Sequence, residues 1–308
     1  MGLGPDTGKP ELIVASTPLD DARTAPAGYR VVKLACGAHS VHSLAHAETF
    51  HPVIGPVAEA EALYIRQLRL LERLSRHSGD FVVWDVGLGA AANSITLLRA
   101  ASHLSCSLHL VSFDNTLEPL RFALRHTDHL SYLVGYEERL RRLLEERALS
   151  FKDQEQSVRW ELHFSDFPTL LKLPVARTFA QPHAIMFDAF SPAKNPEMWT
   201  LPLFANLFGL MNPRRPCALP TYSRSTMLRV TLLLAGFSVG VGHATGEKEE
   251  TTIAANSLEL IDEPLDRRWL QRARRSTSAE PMHQPIYRQA PLSAESLEKL
   301  QRHPQFAD

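Results

Sequence analysis

From residue 81 onward, short apolar runs alternate with stretches of helical periodicity. The apolar runs have the length and the uninterrupted character of strands that are buried on both faces. The predicted strands are residues 81–86, 107–113, 158–164, 184–187 and 217–222. The predicted helices lie near residues 91–101, 117–126, 136–149, 197–211 and 225–235. Strands separated by helices predict a parallel, doubly wound sheet, so we expect an α/β fold.

The flanking segments predict additions to this sheet. Before it we expect an edge strand at residues 12–14, a β-hairpin formed by residues 29–35 and 39–44, and one helix from Pro56 to about residue 78. After it we expect an antiparallel pair of strands at the sheet edge, formed by residues 237–241 and 251–255. We also expect an Arg-rich helix beyond Pro264 and a last helix near residues 294–301. The simplest division is an N-terminal extension with a β-hairpin (residues 1–55) and one Rossmann-like domain with a helical tail (residues 56–308).

The composition is that of an ordinary globular protein. The 308 residues are 44% hydrophobic and carry a net charge of −1, which argues against the global positive field of a dedicated nucleic-acid coat and leaves a local basic patch open. The three cysteines are far apart and contain no Cys-x-x-Cys pair, as is typical of a reducing compartment. No apolar run approaches membrane-spanning length. We therefore expect a cytoplasmic protein without a membrane segment or a secretion signal.

A glycine-rich loop follows the first predicted strand. It reads Asp85-Val86-Gly87-Leu88-Gly89-Ala90-Ala91 and opens a predicted helix, which is the strand–loop–helix context of a nucleotide site. A dinucleotide fingerprint needs a glycine where this chain has Ala92, so pyrophosphate binding is less well supported. The acid-x-G-x-G-x-G pattern of S-adenosylmethionine-dependent methyltransferases fits better, with Ala91 in place of the last glycine. The alternative is a tight turn that binds no ligand.

Two further acids end the next predicted strands. Asp114 follows the second strand, where a carboxylate can accept hydrogen bonds from two ribose hydroxyls. Asp166 follows the third, beside Phe167, where a carboxylate can accept from an adenine amino group. Either aspartate can instead simply cap the next helix. Because ligands sit at the carboxyl edge of such sheets, we expect these acids to meet there.

The fourth predicted strand leads into a segment of more specific character. It ends at Asp188 and continues through Phe190, Lys194 and Asn195 to Trp199. This segment is typical of an amine methylation site, because an alkylamine is protonated near neutral pH and must lose its proton before nitrogen can attack a methyl group. Asp188 is the predicted proton acceptor. The alternative is a turn followed by a helix start at Asn195-Pro196.

This segment resembles the methyltransferase domain of MnmC-type tRNA-modifying enzymes and their stand-alone relatives without the FAD-dependent oxidase half. The family pattern Asp-x-Phe-x-Pro-x-Lys-Asn-Pro-x-Met-Trp matches residues 188–199 without a gap. Further resemblance lies in residues 42–56, in Thr221-Tyr222-Ser223, in residues 234–237 and in the ending from Pro291 to Phe306. It implies a class I S-adenosylmethionine-dependent methyltransferase of Rossmann-like fold, with a mostly parallel sheet and an antiparallel edge strand.

The resemblance also implies a reaction and a set of site residues. The expected reaction methylates the aminomethyl group at carbon 5 of the wobble uridine in tRNA, giving 5-methylaminomethyl-2-thiouridine, and a separate oxidase or another wobble-modifying enzyme is a candidate partner. The residues expected to bind the cofactor, S-adenosylmethionine, are Glu48, Asp85, Gly87, Gly89, Asp114, Asp166 and Asp188. Asp188 is the expected catalytic residue. Substrate contacts are expected from Phe190, Lys194, Asn195, Arg268 and Arg272. Ala91 and the acidic segment near Glu249 depart from the family pattern.

Other constellations support different hypotheses less well. His39, His42, His46 and His51 crowd one stretch, but no Pro-Cys-x-x-Cys completes a zinc motif, so we expect no metal. The alternation of His39 and Val41 predicts a solvated hairpin face. The Arg-rich helix around Trp269 fits either phosphate binding or an ordinary amphipathic surface helix. Two alternative functions therefore stay open: an amine methyltransferase for a small-molecule or protein acceptor, and a non-catalytic RNA-binding relative.

Overall fold

A computed structural model describes residues 17–18, 28–246 and 249–307. The predicted edge strand at residues 12–14 lies outside these ranges. A small antiparallel sheet contains β1 (Thr17–Pro18), β2 (Tyr29–Lys33), β3 (His39–Ser43) and β4 (Glu48–Thr49), paired in that order. It contains the predicted hairpin, β2–β3. The short strand β4 extends it and carries the chain toward the large sheet.

The large sheet has eight strands in the order β11-β12-β10-β9-β5-β6-β8-β7. Its strands are β5 (Asp80–Val86), β6 (Ser107–Asp114), β7 (Ala148–Asp153), β8 (Gln156–Phe164), β9 (Ala184–Phe187), β10 (Ala218–Thr221), β11 (Ser238–Gly242) and β12 (Thr251–Ala255). The five central strands are parallel. Antiparallel pairs close both edges. The doubly wound, mostly parallel α/β sheet with an antiparallel edge is therefore as predicted.

Helices cover both faces of the large sheet. They are α1 (Pro56–Ala60), α2 (Leu70–Arg76), α3 (Ala92–Ala101), α4 (Glu118–Leu124), α5 (Glu137–Glu146), α6 (Phe167–Leu170), α7 (Leu201–Leu210), α8 (Thr226–Leu234), α9 (Arg267–Arg275) and α10 (Ala294–Gln301). Along β5, Phe81 and Val83 join one hydrophobic cluster while Val82 and Trp84 join the other. This alternation is the two-residue period of a strand, here apolar on both faces. No helix in the described ranges has the length and apolar character needed to cross a bilayer.

The prediction of one continuous helix from Pro56 to residue 78 is wrong. The chain forms α1, a π-helical turn at Glu61–Arg66, and then α2, with Arg69 between them at φ 49°. The break places Leu70 and Leu74 in the core, while Arg73 donates to the carbonyl of His183 at 2.7 Å. Because neither glycine nor proline marks the break, periodicity alone predicts one helix.

The predicted helix at residues 136–149 is too long at its carboxyl end. Helix α5 ends at Glu146, Arg147 takes a left-handed φ of 65°, and the following residues form β7. β7 and β8 form a hairpin in which Asp153 pairs with Gln156. Its turn residues are Gln154 and Glu155, with Gln154 at φ 53°. This turn lacks the Asn-Gly or Gly-x signal of a two-residue hairpin, so the pattern did not indicate it.

Candidate active site

A cavity of about 530 Å³ lies at the carboxyl edge of the large sheet, a volume in the range of small-ligand sites. Its walls come from the segments that follow β5, β6, β8 and β9, and from the segment of the small sheet around β4. The sheet thus brings together predicted residues that are far apart in the sequence, while the small sheet closes one side.

Backbone geometry explains the glycines of the loop after β5. Gly87 has φ 90°, and a Cβ atom there would lie 2.5 Å from the carbonyl oxygen of Asp188. Gly89 has φ 52°, and its N–H donates to Asp114 Oδ2 at 2.9 Å. Both glycines line the cavity. The loop therefore lies against the backbone at Asp188, an approach that a side chain at residue 87 would prevent.

Ala91, where the methyltransferase pattern has its last glycine, adopts a left-handed conformation that glycine takes readily. Its φ is 61° and ψ is 20°, its side chain is fully buried, and it is the N-cap residue of α3. The left-handed conformation costs an alanine about 1–2 kcal/mol relative to a right-handed one. Ala91 therefore holds the loop in a left-handed turn at this cost.

Asp85 lies beneath the loop and outside the cavity lining. It is 1% exposed, and its Oδ2 accepts from the hydroxyls of Ser94 and of Ser112, the latter at 3.1 Å. Its Oδ1 is buried without a hydrogen bond in the described structure. Burial raises the pKa of this carboxyl to about 7, although the two hydroxyls oppose the rise. The predicted direct contact between Asp85 and the cofactor remains a prediction.

Asp114 and Asp166 both line the cavity, and both already accept backbone hydrogen bonds. Asp114 accepts from Gly89 N and from Thr116 N, each at 2.9 Å, and burial raises its pKa. Asp166 caps α6 by accepting from Thr169 N at 3.0 Å. The capping alternative therefore holds for Asp166, yet each carboxylate oxygen has a second lone pair that a ligand hydroxyl or amino group can use.

Asp188 lies in the cavity directly after β9. Its Oδ2 accepts from Asn93 Nδ2 at 2.9 Å and lies 3.5 Å from His51 Nε2. Asn93 belongs to the first turn of α3, so the helix that follows the glycine loop helps to orient this carboxylate. Neither Asn93 nor His51 was predicted to belong to the site.

The backbone on both sides of Asp188 is fixed by aromatic donors. Tyr64 OH donates to the carbonyl of Phe187 at 3.1 Å, Tyr222 OH to that of Ala189 at 3.0 Å, and Trp199 Nε1 to that of Phe190 at 2.7 Å. Burial raises the pKa of both phenols well above the ordinary value. Both hydroxyls therefore remain hydrogen-bond donors at physiological pH.

Glu48 joins the small sheet to the same loop. Its two carboxylate oxygens accept from the backbone N–H of Ser191, at 3.1 Å, and from the Ser191 hydroxyl. Phe190 stacks on His46 with ring centroids 4.1 Å apart and packs edge-on against Phe50. Glu48 was predicted to bind the cofactor. It lines the cavity with its carboxylate bonded to Ser191, and its contact with the cofactor remains a prediction.

The remaining predicted substrate residues fall into two groups. Phe190 and Asn195 line the cavity, whereas Lys194 is exposed and does not. Arg268 and Arg272 are exposed on α9 and are not part of the lining. Their predicted contacts with substrate must therefore be made outside the cavity, and they remain a prediction.

His51 lies outside the predicted hairpin and is buried. It is 9% exposed, with Glu59 Oε1 3.6 Å from Nδ1 on one side and Asp188 on the other. His42 bonds to Thr49 and His46 to Ser43. In the described ranges no three His, Cys, Asp or Glu side chains are arranged to hold a metal ion. The sequence signal that was available is the segment between β4 and α1, which holds His51-Pro52 and is part of the resemblance over residues 42–56.

The cavity lining is strongly acidic. It contains the side chains of Glu48, Glu59, Asp114, Asp166 and Asp188, and within the described part of the chain no lysine or arginine contributes to it. A cavity lined by carboxylates attracts cations, and the attraction is stronger because the surrounding protein has a low dielectric constant. S-adenosylmethionine carries a sulfonium and an ammonium group, so the acidic lining and the glycines beside it fit such a ligand.

Residues 135–257 match a family described as S-adenosyl-L-methionine-dependent methyltransferase. Two relatives named tRNA 5-methylaminomethyl-2-thiouridine biosynthesis bifunctional protein MnmC are similar over most of the chain. The Aeromonas hydrophila protein is 30% identical over 210 residues, covering 63% of this chain and 30% of the relative. The Pseudomonas putida protein is 28% identical over 228 residues, covering 68% and 32%. The matched region thus spans about a third of the length of these relatives.

A solved structure, MNMC2 from Aquifex aeolicus, shares the fold. The similarity has a TM-score of 0.62 at 22% identity and covers 90% of this chain and 84% of that one. These comparisons confirm the predicted fold class and the predicted resemblance to MnmC-type methyltransferase domains. The family match also confirms the predicted enzyme class and its cofactor, S-adenosylmethionine.

Proposed function

We propose that this protein transfers a methyl group from S-adenosylmethionine to the aminomethyl group at carbon 5 of the wobble uridine in tRNA. The observation that carries the proposal is the Asp188 carboxylate, which directly follows β9 inside an acidic cavity beside the glycine loop. The names of the relatives support tRNA 5-methylaminomethyl-2-thiouridine as the product.

The residues present fit the cofactor. We infer that the backbone at Gly87 and Gly89 lies against it, that Asp114 accepts from its ribose hydroxyls, and that Asp166 and Phe167 flank its adenine. Asp85 would act from beneath the loop through its buried oxygen. When bound, S-adenosylmethionine supplies an electrophilic methyl group on a positively charged sulfur.

The chain's own contribution is to bind and deprotonate the amine. The acidic lining attracts an alkylammonium group, and Asp188 accepts a hydrogen bond from it and then its proton, which frees the nitrogen lone pair. Asn93 and the aromatic donors that fix the backbone around Asp188 keep this carboxylate in one position, which lowers the entropic cost of aligning it with the amine.

A wobble base must leave its neighbours to enter a cavity of this kind. Phe190 offers an aromatic face at the cavity wall, and Asn195 offers an amide. Arg268 and Arg272 on α9 would contact tRNA phosphates outside the cavity. In this proposal a separate oxidase or another wobble-modifying enzyme supplies the aminomethyl intermediate.

The test uses the full chain, labelled S-adenosylmethionine and bulk tRNA that lacks the terminal methyl group. We expect label in RNA, and in 5-methylaminomethyl-2-thiouridine after digestion to nucleosides. Fully modified tRNA is the matched control and should remain unlabelled. Calorimetry with the cofactor separates the failures: cofactor binding without labelled RNA favours a small-molecule or protein amine acceptor, and no cofactor binding leaves the non-catalytic RNA-binding relative.

A further inference from the structure

His51 stands out among the cavity residues because three independent features constrain it. It follows β4 in the left-handed conformation, with φ 47°. It is 9% exposed although it belongs to a connecting segment. It also lies between two carboxylates, those of Asp188 at 3.5 Å and Glu59 at 3.6 Å. Non-glycine residues with positive φ are uncommon, and they concentrate at functional sites.

The groups around His51 come from several elements of the fold. Glu59 lies on α1, and Asp188 follows β9. Asp85 on β5 also acts on His51 electrostatically. The phenols of Tyr64 and Tyr222 lie near the same carboxylates, and burial keeps both neutral. The charged groups that act most strongly on His51 are therefore carboxylates.

The chemistry of the proposed reaction requires an ionised Asp188. The incoming alkylammonium group must give up one proton before its nitrogen can react, and a carboxylate can accept it whereas a carboxylic acid cannot. Two carboxylates in one buried site disfavour each other's ionisation unless a cation lies between them. An imidazolium at residue 51 is placed to be that cation.

We propose that His51, held by Glu59, is a positioning residue that acts through Asp188, keeping its carboxylate ionised and turned toward the acceptor amine. This inference rests on the proposed function. In it, His51 stays protonated while Asp188 takes the amine proton and passes it to solvent, so Glu59 and His51 form a fixed charge pair behind the proton acceptor.

The electrostatic balance agrees with this role. Burial by itself lowers the pKa of His51, but Asp188 and Glu59 outweigh it and raise the pKa to about 9. The imidazole is therefore charged at physiological pH and loses its proton above about pH 9. Asp188 then loses its counter-charge. The fall in the rate of methyl transfer at high pH, the alkaline limb of the pH–rate profile, therefore reports on His51.

The first test measures single-turnover methyl transfer to tRNA at saturating cofactor between pH 6 and 10. We expect His51→Gln to slow transfer by roughly 10–100-fold, the scale seen when the partner that orients a metal-bound side chain is removed. We expect Glu59→Gln to move the alkaline limb to lower pH by about one unit or more, because one of two nearby carboxylates is lost. His51→Asn is the second variant, since asparagine tolerates positive φ.

His109→Gln is the matched control. His109 is a buried histidine paired with a carboxylate, Glu161 at 3.0 Å, on β6 and outside the cavity lining. A merely structural histidine would behave as His109 does. Transfer by both His51 variants within about twofold of the unmodified protein, or an unmoved limb in Glu59→Gln, would overturn the proposal.

The second test does not depend on the acceptor. Histidine Cε1 resonances of ¹³C-labelled protein are followed against pH, with His51 assigned from the His51→Gln spectrum. We expect His51 to titrate near pH 9 and to titrate lower in Asp188→Asn and in Glu59→Gln. A His51 resonance that titrates at pH ~6.5 and does not shift in either variant would overturn the inference. If the His51 titration depends on Asp188 and Glu59 but tRNA remains unlabelled, the proposed function fails and the charge pair stands.

Discussion

A histidine is buried at each end of the parallel strands of the large sheet, one at their carboxyl ends (the carboxyl edge) and one at their amino ends (the amino edge). The two histidines differ in charge. At the carboxyl edge, the carboxylates of Asp188 and Glu59 outweigh burial and raise the pKa of His51 to about 9. At the amino edge, burial, helped by nearby Arg215, His77 and Arg73, lowers the pKa of His183 to about 4. One buried imidazole is charged and the other is neutral.

The contacts at the amino edge are structural. His183 Nδ1 accepts from the backbone N–H of Val82 at 2.9 Å, and its ring stacks on Phe81 with centroids 4.7 Å apart. At the carboxyl edge, by contrast, the histidine lies beside a cavity and its partners are acids. The comparison teaches that burial does not fix the charge of a histidine. Its neighbours do, and the fold places acids where its strands end.

Removal of the charge at residue 188 should have the largest effect. We expect Asp188→Asn to lower methyl transfer by about 10²–10⁴-fold, because the proposed proton acceptor is lost, while the affinity for S-adenosylmethionine changes little. Single-turnover kinetics and calorimetry measure the two quantities. Retained turnover would remove the assigned role of Asp188, and the carboxyl edge would then lose its distinction from the amino edge.

Gly87→Ala should be the next most damaging change. The new Cβ would lie 2.5 Å from the Asp188 carbonyl oxygen, and φ would stay at 90°. We expect about 1–3 kcal/mol of lost stability from overpacking, with more from backbone strain, together with weakened cofactor binding. Urea unfolding and calorimetry measure these effects. The control is Gly79→Ala, also at positive φ but with open space around it, and similar losses in both would point to strain alone.

The two histidines should make stability depend on pH in opposite directions. The pKa of folded His51 lies above its unfolded value of ~6.5, so its contribution is complete below that pH and is lost as pH rises through about 9. The pKa of folded His183 lies below the unfolded value, so its contribution is complete above pH ~6.5 and is lost as pH falls toward about 4.

Urea unfolding at several pH values can test this pair. Relative to His51→Asn, the unmodified protein should lose about 2 kcal/mol between pH 7 and 9.5. Relative to His183→Asn, it should lose about 1–2 kcal/mol between pH 7 and 5. Equal pH dependence in the protein and both variants would contradict the comparison between the two edges.

Ala91→Gly should have the smallest effect. Glycine relieves the left-handed strain at φ 61° but removes a buried methyl group and loosens the unfolded chain. These terms have opposite signs and similar size, so we expect the free energy of unfolding to change by less than about 1 kcal/mol. Cofactor affinity should stay within a few-fold. A large gain in affinity would show that Ala91 distorts the loop.

Strand and loop patterns around the glycine loop were predictable because their causes are local. The apolar run before Asp85 and the glycines after it predict a strand and a tight turn whatever the rest of the chain does. The breaks at Arg69 and Arg147 were not predictable, because non-glycine residues adopt left-handed backbone there under tertiary contacts. The domain boundary near residue 55 remains a prediction.

By itself, the sequence determined the doubly wound sheet, the loop at Asp85 to Ala91 and the acids that end successive strands, since periodicity and turn chemistry act over a few residues. Only the tertiary structure decided that Asp85 lies beneath the loop, that Glu48 binds Ser191, and that His51 is buried between two carboxylates. The charge of a side chain depends on burial and on neighbours brought together from distant segments, and folding alone sets both.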